Sequence, residues 1–362
     1  MRILILANHY NTLRIFRREL IKSLSNAGHE IYISIPPCDD ENKGILESYG
    51  TQVLFTDFDR RGMNPIKDLR LLREYKHLIR KTKPDKVITY TIKCNIYGGF
   101  ACRNANIPHY ANITGLGSTF QNESLTKKLV SYLYKFSLRH SKRVFFENIG
   151  NCDTLVSLGC VKNDQCVVLP GAGVDLNEFS PVPYPSSNAP IRFLFVGRIM
   201  KEKGVDEYFA AIKRIKTEYP DTEFHFIGWY EDNYENTVKH LIHENLIEFH
   251  GFQSDVKPFI EKAHCIVHPS WHEGMSNTIL EASSMCRPII TTNIHGCKEG
   301  IIENISGFLV SPKNEDELYS AMKKFVELSY EQRKAMGQSG HSHMKKCFDK
   351  QVVVNMTLKE LF

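Results

Sequence analysis

Short runs rich in β-branched and aromatic residues alternate with stretches of helical apolar spacing along the whole chain, and this alternation limits the fold more than any other feature. In the first half the runs are "RILILA", "EIYISIPP", "TQVLFTD", "KVITYT", "PHYANIT" and "RVFFEN". Between the first two, Leu13, Phe16, Leu20 and Leu24 recur at helical spacing up to Gly28, and a long basic helical stretch covers 67–83. Apolar strands separated by helices imply a parallel sheet covered on both faces. Ser180 to Ile191, "SPVPYPSSNAPI", then places four prolines and three serines in twelve residues, the composition of a linker. The alternation restarts with "RFLFVG", "EFHFIG", "LIEFHG", "HCIVHPS", "PIITTN" and "GFLVS". The expected fold is therefore α/β, two doubly wound Rossmann-like domains facing a cleft. Residues 1–180 form one domain, 181–190 the linker, 191–345 the second domain, and 346–362 a terminal helix packing back toward the first. Ligands in such sheets bind beyond the carboxyl ends of the strands, so the cleft is the expected site.

Charge is divided unevenly between the halves. Residues 1–175 hold 25 Lys and Arg against 16 Asp and Glu, a net of +9, and the remainder holds 21 against 25, a net of −4. The basic half suggests an anionic partner such as a lipid surface or a phosphorylated substrate. No nucleic-acid motif accompanies it, so nucleic acid is not an expected partner. The ten cysteines form no CxxC pair and no zinc-type spacing, which reads as buried reduced thiols. "MRILILANHYNT" is too short in its apolar run for a secretory signal, and no stretch reaches the length of a membrane span. The chain is expected in the cytoplasm, on the inner face of a membrane without crossing it.

Two stretches carry chemistry. In "FVGRIMKEKGVDEYF" a strand ends at Gly197, Arg198 and Lys203 flank a short loop, and a helix opens near Val205. Two cations beside a glycine turn and a helix N-terminus suit a diphosphate, and a solvated basic loop is the alternative. In "HPSWHEGMSNTILE" a strand ends at His268, Gly274 permits close backbone approach, and Ser276, Asn277 and Thr278 can cap a helix whose N–H groups face an anion. Glu273 precedes that helix, and Glu281 lies eight residues on. At about 100° per residue, Glu281 sits roughly 80° further around the helix and a little over two turns along. Each carboxylate can reach a different part of one ligand and accept paired hydrogen bonds from a sugar diol.

"EGMSNTILE" resembles the E-x7-E motif of retaining glycosyltransferases of the GT-B fold, family 4. "VGRIMKEKG" is similar to the Arg…Lys diphosphate site of that family, "VLPGAGVDLNEFSP" to its domain junction, and "IEFHGFQSDV", with Phe252, to the loop near its nucleotide base. The resemblance covers most of the chain, with the motifs in the family's order. It implies that Gly197, Arg198 and Lys203 hold a donor diphosphate and that Glu281 holds the ribose. Glu273 would contact the donor sugar beside the backbone of Gly274, Met275 and Ser276, with Asn277 and Thr278 at the helix start. Arg198, Lys203 and Glu273 are then the expected catalytic residues. Transfer would retain configuration without a metal or other cofactor, the leaving diphosphate being stabilised electrostatically and its own oxygen taking the acceptor proton. On this reading the two glutamates position and polarise; they are not the acid and nucleophile of a glycoside hydrolase.

The first half departs from the family pattern. "ANHYNTLRIFRREL" lacks the glycine-rich loop after the first strand, and Thr114 stands before Gly115 where many members have histidine. "FRREL", "RRGMNPIKDL" and "TGLGSTF" are nonetheless similar to the subgroup that extends lipid-linked sugars, of the undecaprenyl-diphosphate-linked N-acetylgalactosaminyltransferase type. This implies a nucleotide (UDP) sugar donor, a polyprenyl-diphosphate saccharide acceptor, and Arg14, Arg17, Thr114 and Gly115 on the acceptor side. "LTKKLVSYLYKFSLRHSKR" mixes six cations with Leu, Tyr and Phe, and suits an anionic bilayer or a core-facing helix with a solvated basic side. The "DFD" of Asp57–Asp59 lies far from the nucleotide motifs and is read as no metal site. A GT-B sugar-nucleotide epimerase and a non-catalytic sugar-nucleotide-binding subunit are the competing readings.

Overall fold

The computed structural model describes residues 1–57, 64–120 and 123–362. Phe58 and Asp59 of the "DFD" motif, and Arg60 to Met63 of "RRGMNPIKDL", lie outside the described residues. The chain forms two compact units, Met1–Ala172 with Gln351–Phe362, and Gly173–Lys350.

The first unit holds a parallel sheet of β1 (Arg2–Leu6), β2 (Glu30–Ile35), β3 (Thr51–Phe55), β4 (Lys86–Tyr90), β5 (His109–Ile113), β6 (Arg143–Phe146) and β7 (Cys166–Val168). Their order is β3-β2-β1-β4-β5-β6-β7, so the winding reverses between β1 and β4. Ile3, Leu4, Ile5 and Leu6 are all fully buried, because both faces of the sheet are covered. Ile3 and Ile5 pack with Ile31, Ile33 and Leu20 on one face; Leu4 and Leu6 pack with Leu71, Tyr75 and Leu78 of the helix Pro65–Thr82 on the other. That helix starts where the Asn64 side chain caps the N–H groups of Ile66 and Lys67, and it ends at Lys83 in the left-handed region. The terminal helix Lys350–Leu361 inserts Val353, Val354 and Leu361 into the first unit's core, and Arg143 holds Glu360 at 2.6 Å.

One expected helix is broken. Instead of running from Leu13 to Leu24 it divides into Tyr10–Arg14 and Arg18–Asn26. Arg17, between them, leaves helical geometry to bury its guanidinium against Glu147 at 2.5 Å and over the Tyr90 ring at 5.1 Å. A buried charge needs such a partner more than a helix needs one more turn.

The second unit holds β8 (Arg192–Val196), β9 (Glu223–Ile227), β10 (Glu248–Phe249), β11 (Cys265–His268), β12 (Ile289–Thr292) and β13 (Gly307–Val310), in the order β10-β9-β8-β11-β12-β13 and all parallel. Phe193 and Phe195 face the helix Val205–Glu218, with Phe193 stacked on Phe224 at 5.3 Å between ring centres. Leu194 faces the other way, toward Ile266, Ile289 and Ile279 of the helix Asn277–Ser284. The division between units falls after Ala172, earlier than the proline-rich segment, which belongs to the second unit. The cause is Arg287. Fully buried, its guanidinium donates to the carbonyls of Pro183 at 2.8 Å, Ile260 at 2.9 Å and Glu261 at 2.7 Å. Tyr184 adds a bond from its hydroxyl to the His264 carbonyl at 2.9 Å. Prolines donate no backbone hydrogen bond, but their carbonyls satisfy a buried cation, and the segment is clamped in place. All ten cysteines are free thiols.

Candidate functional site

In the second sheet the winding reverses between β8 and β11, and both chemistry-bearing stretches leave the sheet there. After β8, Gly197 donates to the Ile227 carbonyl at 2.9 Å, and a 3-10 turn, Lys201–Lys203, leads through Gly204 into the helix Val205–Glu218. Gly204 has φ +71°, and a Cβ there would stand 2.0 Å from the Pro269 carbonyl oxygen. Glycine therefore lets the two loops touch. They are laced further by the Trp271 N–H on the Glu202 carbonyl at 2.9 Å and by His272 Nε2 against Glu202 Oε2 at 2.9 Å.

The lacing brings together charges separated by seventy residues. Lys203 Nζ donates to Glu273 Oε1, and His268 Nε2 lies 2.9 Å from the same oxygen and 3.1 Å from Ser276 Oγ. Lys203 and Glu273 are only 15% and 14% exposed. Burial alone would raise the Glu273 carboxyl, but the Lys203 charge and the His268 hydrogen bond outweigh it and hold the group well below the ordinary carboxylate value. Burial keeps His268 below the usual imidazole range. With Nε2–H on Glu273, the neutral ring fixes the carboxylate in place. Behind it, Gly296 at φ +88° receives the Ser276 N–H at 2.8 Å, and a Cβ there would meet the Gly274 oxygen at 2.5 Å.

The other expected donor residues are placed as follows. Arg198 is half-buried, with Nη1 3.9 Å from Glu231 Oε2. Ser276 is the first residue flanking the helix Asn277–Ser284, but its hydroxyl turns to His268 rather than capping it. The backbone N–H groups of the first turn are thus not used by that side chain. Thr278 Oγ1 donates to the Val196 carbonyl at 3.4 Å and ties the helix start to the end of β8. The Met275 side chain is core, packed with Leu280 and Met344, so only its backbone is available to a ligand. Glu281 lies partly buried along the helix, and its carboxylate makes no hydrogen bond among the described residues. Burial pushes it up to about 8, with Lys350 opposing and Glu178 adding to the shift. The two glutamates thus have opposite electrostatics: Glu273 is held as a carboxylate, and burial pushes Glu281 toward its protonated form.

Phe252 is 66% exposed and meets Trp229 edge to face at 5.7 Å. Trp229 was not singled out in the sequence, although "FIGWY" places it directly after β9. On the first unit, Thr114 and Gly115 follow β5 and are partly exposed. Arg14 donates to Asn42 Oδ1 at 2.7 Å, and Arg17 is committed to Glu147. Thr91, just after β4 where that sheet reverses, has φ +75°, an uncommon conformation for a β-branched residue.

Comparison with known proteins agrees with the two-sheet α/β architecture. Residues 178–343 match the family described as glycosyl transferases group 1, and residues 2–148 match glycosyl transferase 4-like. Together the matches cover every strand of the two sheets except β7. The chain is a group 1 glycosyltransferase of the GT-B fold. The transferase is 24% identical over 328 residues to an N,N'-diacetylbacillosaminyl-diphospho-undecaprenol alpha-1,3-N-acetylgalactosaminyltransferase of Campylobacter jejuni, covering 86% of each chain. It is 26% identical over 288 residues to a UDP-Gal:alpha-D-GlcNAc-diphosphoundecaprenol alpha-1,3-galactosyltransferase of Escherichia coli, covering 74% of this chain and 73% of that one. The crystal structure of Anabaena HepE in complex with UDP shares its fold, with a TM-score of 0.79 at 16% identity over 100% of this chain and 99% of that one. Among the described residues no helix is long and apolar enough to cross a membrane.

Proposed function

We propose that the transferase moves a hexose or N-acetylhexosamine from a UDP-sugar to a polyprenyl-diphosphate-linked saccharide, with retention. The observation that carries this reading is the Lys203–Glu273–His268 cluster set against a helix start at the reversal point of the second sheet. The ammonium of Lys203 has three donors, and Glu273 takes one, so two remain for a diphosphate. Arg198 adds a second cation, and the first-turn N–H groups of the helix Asn277–Ser284 add dipolar stabilisation. Glu273 accepts from hydroxyls of the donor sugar, Glu281 from the ribose, and Trp229 and Phe252 offer faces to the base.

In the reaction the acceptor hydroxyl oxygen bonds to the anomeric carbon on the face from which the nucleotide departs. The bond from that carbon to the β-phosphate oxygen breaks, and the hydroxyl proton passes to the released diphosphate. Negative charge grows on the diphosphate, where Arg198 and Lys203 act. Thr114 and Gly115 line the acceptor side, with Arg14; Arg17, paired with Glu147, positions the chain there.

A membrane surface for the acceptor is supported by the helix Leu125–Leu138. Val130, Tyr134 and Leu138 face the core, whereas Leu125 is 84% and Tyr132 60% exposed beside the exposed Lys128 and Lys135. Apolar and basic groups together suit an anionic bilayer. The two lipid-linked relatives support the acceptor class. The test is transfer from a panel of UDP-, GDP- and ADP-sugars to a synthetic polyprenyl-diphosphate saccharide, with the anomeric configuration of the product read by NMR. A retained linkage from one UDP-sugar is expected. Donor binding with no product, or donor epimerisation without acceptor, would overturn the reading.

A further inference from the structure

A second cluster of ligating side chains lies at the edge of the second unit's sheet, formed by strand pairing. β9 and β10 run parallel, with His225 opposite Glu248, and His250 continues the strand by donating its N–H to the Phe226 carbonyl at 2.9 Å. His225 Nδ1 lies 2.9 Å from His250 Nε2 and 3.5 Å from Glu248 Oε2, and His250 Nε2 lies 3.9 Å from the same Glu248 oxygen. The two imidazole rings are parallel within 3°. Ligands about 2.0–2.1 Å from a tetrahedral zinc ion stand about 3.3 Å apart, in the middle of this triangle of distances.

We propose that His225, Glu248 and His250 bind a zinc ion, with water in the fourth position. The surroundings are those of a supported site. Glu223 Oε2 lies 3.3 Å from His225 Nε2 and is itself paired to Arg192 at 2.7 Å. A carboxylate behind a ligand histidine fixes its tautomer, here with the proton on Nε2 and the Nδ1 lone pair turned into the cluster. Without metal, His250 donates its Nε2–H to that lone pair; with metal, the His250 proton moves to Nδ1 and both facing nitrogens become ligands. Glu248 is 63% exposed, which leaves the ion a route in and a water a place to bind. The ion would fasten an edge strand of only two residues just before the loop that carries Phe252.

The experiment uses tag-free, chelator-stripped full-length protein titrated with zinc chloride by calorimetry and with cobalt chloride by visible absorption. One equivalent of zinc, tetrahedral cobalt bands, and a zinc-dependent rise in melting temperature are expected. The melt is followed by tryptophan fluorescence, since both tryptophans, Trp229 and Trp271, lie in this unit. Loss of a carboxylate behind a ligand histidine costs about 10–100-fold in affinity, and Glu248→Gln or His250→Gln is expected to cost no less. If His250→Gln fails to fold, Glu248→Gln, at an exposed position, carries the test. Absence of stoichiometric binding would overturn the assignment and leave the two histidines as a hydrogen-bonded pair. Binding undiminished in Glu248→Gln would overturn it too, by placing the ion elsewhere.

Discussion

Replacing Lys203 with alanine removes the cation from a carboxylate that is 14% exposed, and its effect on stability can be worked from the site. Glu273 would keep the hydrogen bond from His268, whose ring is neutral. Breaking a buried ion pair from one side costs about 3–5 kcal/mol because a charge is left uncompensated. His268 still donates one hydrogen bond, so the lower end, about 3 kcal/mol, is expected. For a unit of this size, 1 kcal/mol moves the melting temperature by about 2–4 °C. The loss is then about 6–12 °C, read by tryptophan fluorescence from the second unit alone. Lys203→Ala combined with Glu273→Gln removes the stranded charge and should recover at least about 1.5 kcal/mol relative to the sum of the single variants. The pH dependence follows from the same pair. Glu273 is depressed below its ordinary value of 4.5 in the native protein, so its contribution is present above about pH 4.5 and is lost as the pH falls below it. Without Lys203, burial dominates and the carboxyl rises, so stability in the variant should fall with increasing pH above 4.5. A coupling within about 0.5 kcal/mol of zero, or an unchanged pH profile, would refute the account of the site as a buried, electrostatically locked cluster.

Glu281 titrates at about 8, and a ribose diol is best held by the ionised form, so donor affinity should rise from pH 6.5 to pH 8.5 with release of a proton. Calorimetry in buffers of different ionisation enthalpy measures that proton, and Glu281→Gln should abolish its release. Gly204→Ala forces a Cβ against the Pro269 carbonyl at φ +71°, separating the laced loops. A loss of at least about 2 kcal/mol in stability and about 100-fold in transfer is expected, by thermal melt and product assay. Lys128→Glu with Lys135→Glu should weaken binding to anionic vesicles by about 1 kcal/mol or more per residue, read by flotation, while UDP-sugar binding stays unchanged.

The parts of this architecture visible in the sequence are those written locally. Fully buried strands such as Ile3–Leu6 and Phe193–Phe195 are continuous apolar runs, and their alternation with helices fixes a doubly wound sheet. Glu273 and Glu281 are related by one stretch of chain, so their spacing was legible. What was hidden depends on distant partners. The proline-rich segment reads as a free linker until Arg287, a hundred residues later, is found donating to its carbonyls. Arg17 reads as an acceptor-side cation until Glu147 is placed beside it. By sequence, Lys203 belongs with a phosphate and Glu273 with a sugar; their mutual ion pair depends on the contact between Gly204 and Pro269. His225 and His250, twenty-five residues apart, have no metal-type spacing, since only the β9–β10 register joins them.

The return of the last helix to the first unit sets the order in which the protein can mature. Val353, Val354 and Leu361 complete a core whose earliest members, such as Ile3 and Ile31, were synthesised more than three hundred residues earlier. During translation, the first sheet emerges without one wall of its interior and must wait while the entire second unit is made. The second unit, closed on itself by the Val174–Asp349 bridge, has all its parts before that wall arrives. The nascent transferase therefore exposes the apolar face beside β1 and β2 longest, and a chaperone acting on it would find its target there.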